Sequence, residues 1–200
     1  MDQFYTIDRT ADAEFKDRGS KFIAFAHPLV ETSHFKFILQ QIKKEHPKAV
    51  HHCFAYRIGL QGNNFRVSDD GEPSGTAGKV ILGQIDSKNL TNTAIIVVRY
   101  FGGTLLGIPG LINAYKTVSS LVLQTIPIIQ KQVEVSYILH FEFIHINEIM
   151  KLVRQYNCTI TEQELLLFPF IKINIPLNRL EEMSSRMKDL KNVEFKKVSG

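Results

Sequence analysis

The chain has 200 residues, 44% apolar and 22% charged, with a formal net charge of +4, the balance of a soluble globular protein of one or two domains. That charge is too mild to establish nucleic-acid binding by itself, and no run approaches the roughly 20 apolar residues that span a bilayer. The opening Met1-Asp2-Gln3-Phe4-Tyr5-Thr6 has no basic region leading into an apolar stretch, and Cys53 and Cys158 lie far apart, so the expectation is a cytoplasmic protein with reduced thiols and no membrane contact.

Ser20 to Ala26 reads as a strand ending near His27-Pro28. Thr32 or Ser33 is placed to cap a helix running to about Glu45, with Phe35, Ile38, Leu39 and Ile42 at helical spacing. His46-Pro47 ends it. Val50 to Leu60 reads as a strand with His51, Cys53, Ala55 and Arg57 on one face. A turn over 61–64 leads to a short strand, Phe65 to Ser68. Ser74 is placed to cap a short helix through about Leu82. Thr93 to Val98 is apolar and β-branched throughout, as in a central strand covered on both faces. A helix follows from about Pro109 to Thr125, with Leu111, Ala114, Tyr115, Val118 and Leu121/Val122 as its core stripe.

Pro127 and Gln130-Lys131-Gln132 suggest a boundary, giving domains 1–130 and 131–200. The second part reads strand (Val133–Phe141), helix (Ile146–Tyr156), two strands (Cys158–Glu164, Phe168–Ile175), helix (Leu177–Leu190) and strand (Val193–Val198). This βαββαβ order is that of a ferredoxin-like domain. The fold class is therefore α+β.

Two glycine-dense segments, 69–79 and 99–110, hold most of the chain's 12 glycines and also carry charges and hydroxyls. Glycine at that density points to positive φ or close backbone approach. The second segment lies in a stretch, Ser87 to Val133, that contains no Asp or Glu but keeps Lys88, Arg99, Lys116 and Lys131. A strand, a glycine loop and a helix start there in succession, the arrangement of an anion site, with Arg99 and Lys116 adding charge. A tight helix–sheet joint has the same signature. Gly102 to Gly107 matches half of a Walker A motif, but Ile108-Pro109 follows where Lys and Ser/Thr are required, which excludes an ordinary P-loop. Asp69, Asp70 and Glu72 are close enough for Mg²⁺ or acid/base work; an Asp-Gly turn with solvated acids and an Asx-type cap is the favoured account, since such clusters are common in turns. The Ser74 spacing does not match a nucleophile elbow. Adjacent strand positions point apart, so only His51 and Cys53 of the His51-His52-Cys53 run converge. No further ligand completes a zinc set, and a packed cysteine is the default over a thiol nucleophile.

These two segments, with His-His-Cys-Phe-Ala-Tyr-Arg at 51–57, resemble the signature of the YigZ/IMPACT family over most of residues 15–125. The usual family pattern has lysine, glycine and arginine where this chain has Leu105, Pro109 and Asn113, and asparagine and tryptophan where it has His52 and Phe54. The resemblance implies an N-terminal βαβ-type domain similar to domain four of elongation factor G. It also implies a C-terminal ferredoxin-like domain similar to domain five of that factor. Eukaryotic relatives regulate translation by competing for an activator of a starvation-responsive kinase, a context the bacterial two-domain form lacks.

The leading expectation is a non-enzymatic protein that binds RNA, the ribosome or a translation-related protein, with no cofactor, no metal and no catalytic residue assigned. The candidate binding residues are Asp69, Asp70, Glu72, Ser74, Thr76 and Lys79 in the first segment, and Arg99, Tyr100, Gly102, Gly103, Thr104, Gly107, Asn113 and Lys116 in and after the second. One alternative is a Mg²⁺-dependent hydrolase or phosphotransfer enzyme using Asp69, Asp70 and Glu72. Another is a protein-interaction module presenting Tyr100, Phe101 and Leu105.

Overall fold

The structure, a computed structural model, describes residues 2–60 and 63–198. The first elements are β1 (Gln3–Ile7), β2 (Ala11–Asp17), β3 (Ser20–Pro28), α1 (Thr32–Glu45), β4 (His51–Ile58) and β5 (Asn64–Ser68). They are followed by α2 (Gly78–Ser87), β6 (Thr93–Tyr100), α3 (Gly107–Gln124) and β7 (Ile128–Gln132). The remainder comprises β8 (Glu134–Phe141), α4 (Ile146–Gln155), β9 (Thr159–Glu164), β10 (Phe170–Pro176), α5 (Leu180–Asp189) and β11 (Val193–Lys197). The turn expected over 61–64 falls partly outside the described residues. The chain divides into two compact units, one of residues 4–131 and the other of residues 2–3 with 132–198.

In the larger unit five antiparallel strands run in the order β2-β3-β6-β4-β5. β6 takes the centre because it is apolar on both sides. Ala94, Ile96 and Val98 join Leu29, Phe54 and Tyr56 under the Phe35–Ile38–Ile42 stripe of α1. Ile95 and Val97 face the other way, into a cluster with Ile81 and Ile85 of α2 and Leu111, Tyr115, Val118 and Val122 of α3. Each fully buried aliphatic side chain here contributes about 1.5–3 kcal/mol.

The expected caps are not the ones used. α1 starts after Glu31 with no side-chain cap, and Ser33 Oγ donates to Glu31 Oε2 at 3.0 Å. α2 begins at Gly78 rather than beside Ser74, because the loop before it is held by Asp69, as described below. β1, β2 and β7 were not anticipated. β2 alternates strictly, with Ala11, Ala13 and Phe15 packed on the core and Asp12, Glu14 and Lys16 between them. β1 pairs with β7, a contact between the two ends of the unit that no local pattern records.

The second unit is a four-stranded antiparallel sheet of order β11-β8-β10-β9. Leu139, Ile171, Ile173 and Ile175 on one face pack against Ile149 and Val153 of α4 and Met183 and Met187 of α5. The opposite face is polar, with Ser136 donating to Asn174 Oδ1 at 2.7 Å and Lys172 paired to Glu162.

Candidate functional site

At one end of the large sheet, β-pairing places Phe22, Arg99 and His51 in a row across three strands. Their parity puts them on the α2/α3 side, beyond the point where the apolar run of β6 ends. Tyr115 descends from α3 and packs edge-on against Phe22, with ring centroids 5.2 Å apart. Glu72, from the loop between β5 and α2, reaches into the same space. Its Oε1 accepts from Arg99 Nη1 at 2.7 Å and from the Tyr115 hydroxyl at 2.8 Å. The Arg99 and Glu72 side chains are only 6% and 3% exposed. Charges so deeply buried persist because each has the other and further hydrogen bonds. The Arg99 guanidinium also lies 5.4 Å from the Phe22 ring centroid and 5.7 Å from that of Phe101. His51 Nδ1 is 2.8 Å from the Asp70 carbonyl, which only accepts. His51 Nδ1 therefore donates to that carbonyl, and Nε2 lies 3.9 Å from Glu72 Oε1.

The three carboxylates of the first glycine segment have three different partners. Asp69 Oδ1 accepts from the backbone N–H groups of Ala77 and Gly78, at 3.0 and 2.8 Å, and Oδ2 from Gly75 at 2.9 Å. It thereby caps α2 from nine residues upstream. Burial alone raises the Asp69 carboxyl, but these three donors with Lys79 outweigh it and hold it below the ordinary carboxylate value. Asp70 accepts from the His52 backbone N–H at 2.7 Å, tying the loop to β4. Glu72 is committed to Arg99 and Tyr115. Gly78 is required by proximity, since a Cβ there would fall 2.8 Å from the Ser68 backbone nitrogen. Thr76 is buried and donates to the Pro73 carbonyl at 2.7 Å.

Cys53 lies beneath this cluster, with Sγ 3.0 Å from the Asp69 carbonyl and 3.2 Å from the Tyr115 hydroxyl. Burial pushes its thiol up to about 12, and the neighbouring carboxylates oppose ionisation further. Burial likewise raises Tyr115, together with Cys53 and Glu72. Both groups act here as neutral packing and hydrogen-bonding residues.

The second glycine segment passes over the ion pair. Gly102 crosses the β2–β3 turn so closely that a Cβ would sit 1.9 Å from the Gly19 carbonyl carbon, and its N–H donates to Ser20 Oγ at 3.2 Å. That N–H is therefore used inside the fold. Arg99 is buried rather than offered as a surface cation. Tyr100 lies on the opposite face of the sheet, its hydroxyl 2.8 Å from His46 Nδ1. Ser74, Lys79, Gly103, Thr104, Asn113 and Lys116 are exposed and do not line the space above the pair.

That space is a cavity of about 420 Å³. Arg99, Glu72 and His51 line it together with Val50, Phe101, Leu105, Leu106 and Ile108, among others. The two glycine segments thus meet, through Glu72 and Arg99. Leu105 is 83% exposed, and Val50, Phe101 and Ile108 are also exposed. Val50, Ile108 and Tyr115 were not singled out as site residues. Tyr115 reads as one more core position of α3, and only the β4–β6 register reveals that His51 lies beside Arg99.

The model of the Impact N-terminal domain matches residues 18–123. Over 174 residues the chain is 31% identical to the IMPACT family member YigZ of Escherichia coli (strain K12), covering 86% of this chain and 85% of that protein. An IMPACT family member of Haemophilus influenzae is 30% identical over 189 residues, covering 92% and 90%. A crystal structure of a hypothetical protein, 27% identical, aligns over 100% of this chain and 98% of its own with a TM-score of 0.75. On the matched domain, and on relatives aligned over nearly their whole length, the chain belongs to the IMPACT family.

Proposed function

We propose that this protein is a non-enzymatic regulator of translation that works by docking a protein of the translation machinery at the cavity over the Glu72–Arg99 pair. Membership of the IMPACT family supports the process. The observation that carries the docking reading is the rim. Val50, Phe101, Leu105 and Ile108 are exposed around a concave site, and contiguous exposed apolar surface marks protein contacts. The committed carboxylates and the sealed Cys53 thiol support binding over catalysis. Burial of Arg99 leaves the expected phosphate track without its central cation, which favours a protein over RNA, whose interfaces are strongly positive.

The test is co-sedimentation with purified ribosomes and a panel of purified translation factors at low and moderate salt. Binding that changes little with salt and is lost in Leu105→Glu supports the reading. Binding that falls steeply with salt and is lost in a Lys79→Ala/Lys116→Ala variant, with Leu105→Glu unaffected, overturns it in favour of phosphate contacts.

A further inference from the structure

We infer that the cavity takes the C-terminal carboxylate of the docked protein, with an apolar last residue resting on the cavity walls; this rests on the docking reading above. Two separate features of the lining call for an acceptor. The first is Arg99, a cavity-lining residue only 5% exposed. Glu72 takes an N–H of its Nη1. Nε has no partner among the described residues, and Nη2 donates to none of them. Buried donors are normally paired, and leaving one without an acceptor is costly. The second feature is the start of α3. This helix of 18 residues has neither a side-chain cap nor an acidic residue in its first turn. Gly107 and Ile108 line the cavity, and their backbone N–H groups are among those that a helix leaves unpaired at its start.

These features also set the charge. Glu72 and Arg99 neutralise one another, so the helix end, worth about half a positive charge, decides the sign of the field. An ammonium or guanidinium would face that end and Arg99 together. A neutral carbonyl would answer the donors but not the field. A carboxylate answers both, with two oxygens to share between a guanidinium and a helix N-terminus. Glu72 leaves room for it, because a planar guanidinium presents donors along separate edges and Glu72 holds only Nη1. The walls choose the source. Val50, Phe101, Leu105 and Ile108 surround the polar floor. A phosphodiester would bring a polar sugar against them. An internal Asp or Glu would offer them one or two methylenes and carry chain away on both sides. A chain terminus needs only one exit, and it bears its side chain on the carbon that holds the carboxylate. One residue such as leucine thus fills the charged floor and the apolar walls together.

The test titrates four probes into the whole protein and follows nitrogen–proton correlation NMR. They are acetyl-Ala-Ala-Leu with a free C-terminus, its C-terminal amide, acetyl-Ala-Glu-Ala-amide and inorganic phosphate. The free acid should saturate with a Kd on the order of 1 mM. It should move the Arg99 Nε–H signal and the Gly107 and Ile108 amide signals, and bind at least about fivefold more tightly than each other probe. Glu72→Gln removes the competing charge and keeps the side-chain shape, so it should tighten the free acid severalfold and leave the amide unchanged. The wild-type titrations decide the matter if that variant does not fold. A margin below about fivefold over the amide, saturation without movement of the Arg99 signal, or no saturation by about 10 mM overturns the inference. So does preference for the Glu peptide, which would assign the site to acidic side chains, or for phosphate, which would assign it to a phosphorylated occupant. If partner capture still depends on Leu105 when the free acid fails, the inference falls alone. If capture also fails, the docking reading falls with it.

Discussion

Replacing Glu72 by Met should be among the most destabilising single changes in the larger unit. The substitution leaves the Arg99 guanidinium, 6% exposed, without its carboxylate. Arg99 Nε already lacks a partner among the described residues, so the charge would then rest against the Phe22 and Phe101 rings. Removing one member of a buried ion pair costs about 3–5 kcal/mol, and the Tyr115 hydroxyl loses its acceptor, about 1 kcal/mol more. Arg99→Met should cost a similar amount, because it strands the Glu72 carboxylate. The double variant leaves no stranded charge, so its cost should fall short of the sum of the two single costs by about 3 kcal/mol. The assay is urea denaturation by circular dichroism, with hydrogen exchange of the β6 amides to report on the larger unit alone, because a two-unit chain need not unfold in one step. Additive costs across the cycle would refute the account, since the pair would then not be holding two buried charges in place.

The backbone crossing makes Gly102→Ala far more damaging than Gly103→Ala; with a Cβ required 1.9 Å from Gly19, the first should fail to accumulate as folded protein, and the second, at φ +86°, should cost about 1–2 kcal/mol. Asp69→Ala removes a carboxylate serving three backbone donors and should cost about 2–4 kcal/mol at neutral pH. Because the folded Asp69 carboxyl titrates below its ordinary value of 3.8, its contribution is complete above that value and is lost as pH falls through the lower folded value. Wild type and Asp69→Asn compared from pH 7 to pH 3 should therefore converge only in the acid limb. Cys53, with its thiol raised to about 12 and fully buried, should resist iodoacetamide at pH 8 until urea opens the unit; rapid native labelling identified by mass spectrometry would contradict the sealed cluster.

Much of the fold was legible because it rests on periodicity. The continuous run of β6 and the i, i+3, i+4, i+7 stripe of α1 are each forced by the need to cover apolar side chains. The caps were misread because Asp69 acts across nine residues, a distance that short capping motifs do not span. β1 and β7 went unseen because their pairing closes the two ends of the unit, and β2 because its inward side chains are mostly small. At the site, the glycine segments and their charges were visible. Their division of labour was not: Asp69 and Asp70 fasten a loop, Gly102 permits a crossing, and Glu72 and Arg99 neutralise one another. The key neighbour, His51, is set beside Arg99 only by strand register.

The lining of the cavity is drawn from β4, the loop after β5, β6 and the start of α3, among other segments. No fragment of the chain shorter than that span can present it. An occupant that recognises the assembled floor binds the folded unit and not the unfolded chain. At a concentration 100 times its Kd it adds about 2.7 kcal/mol to the unit's stability. If the proposed docking holds, partner supply would set how long the protein survives in a cell that degrades unfolded chains, and its abundance would report how much partner is free.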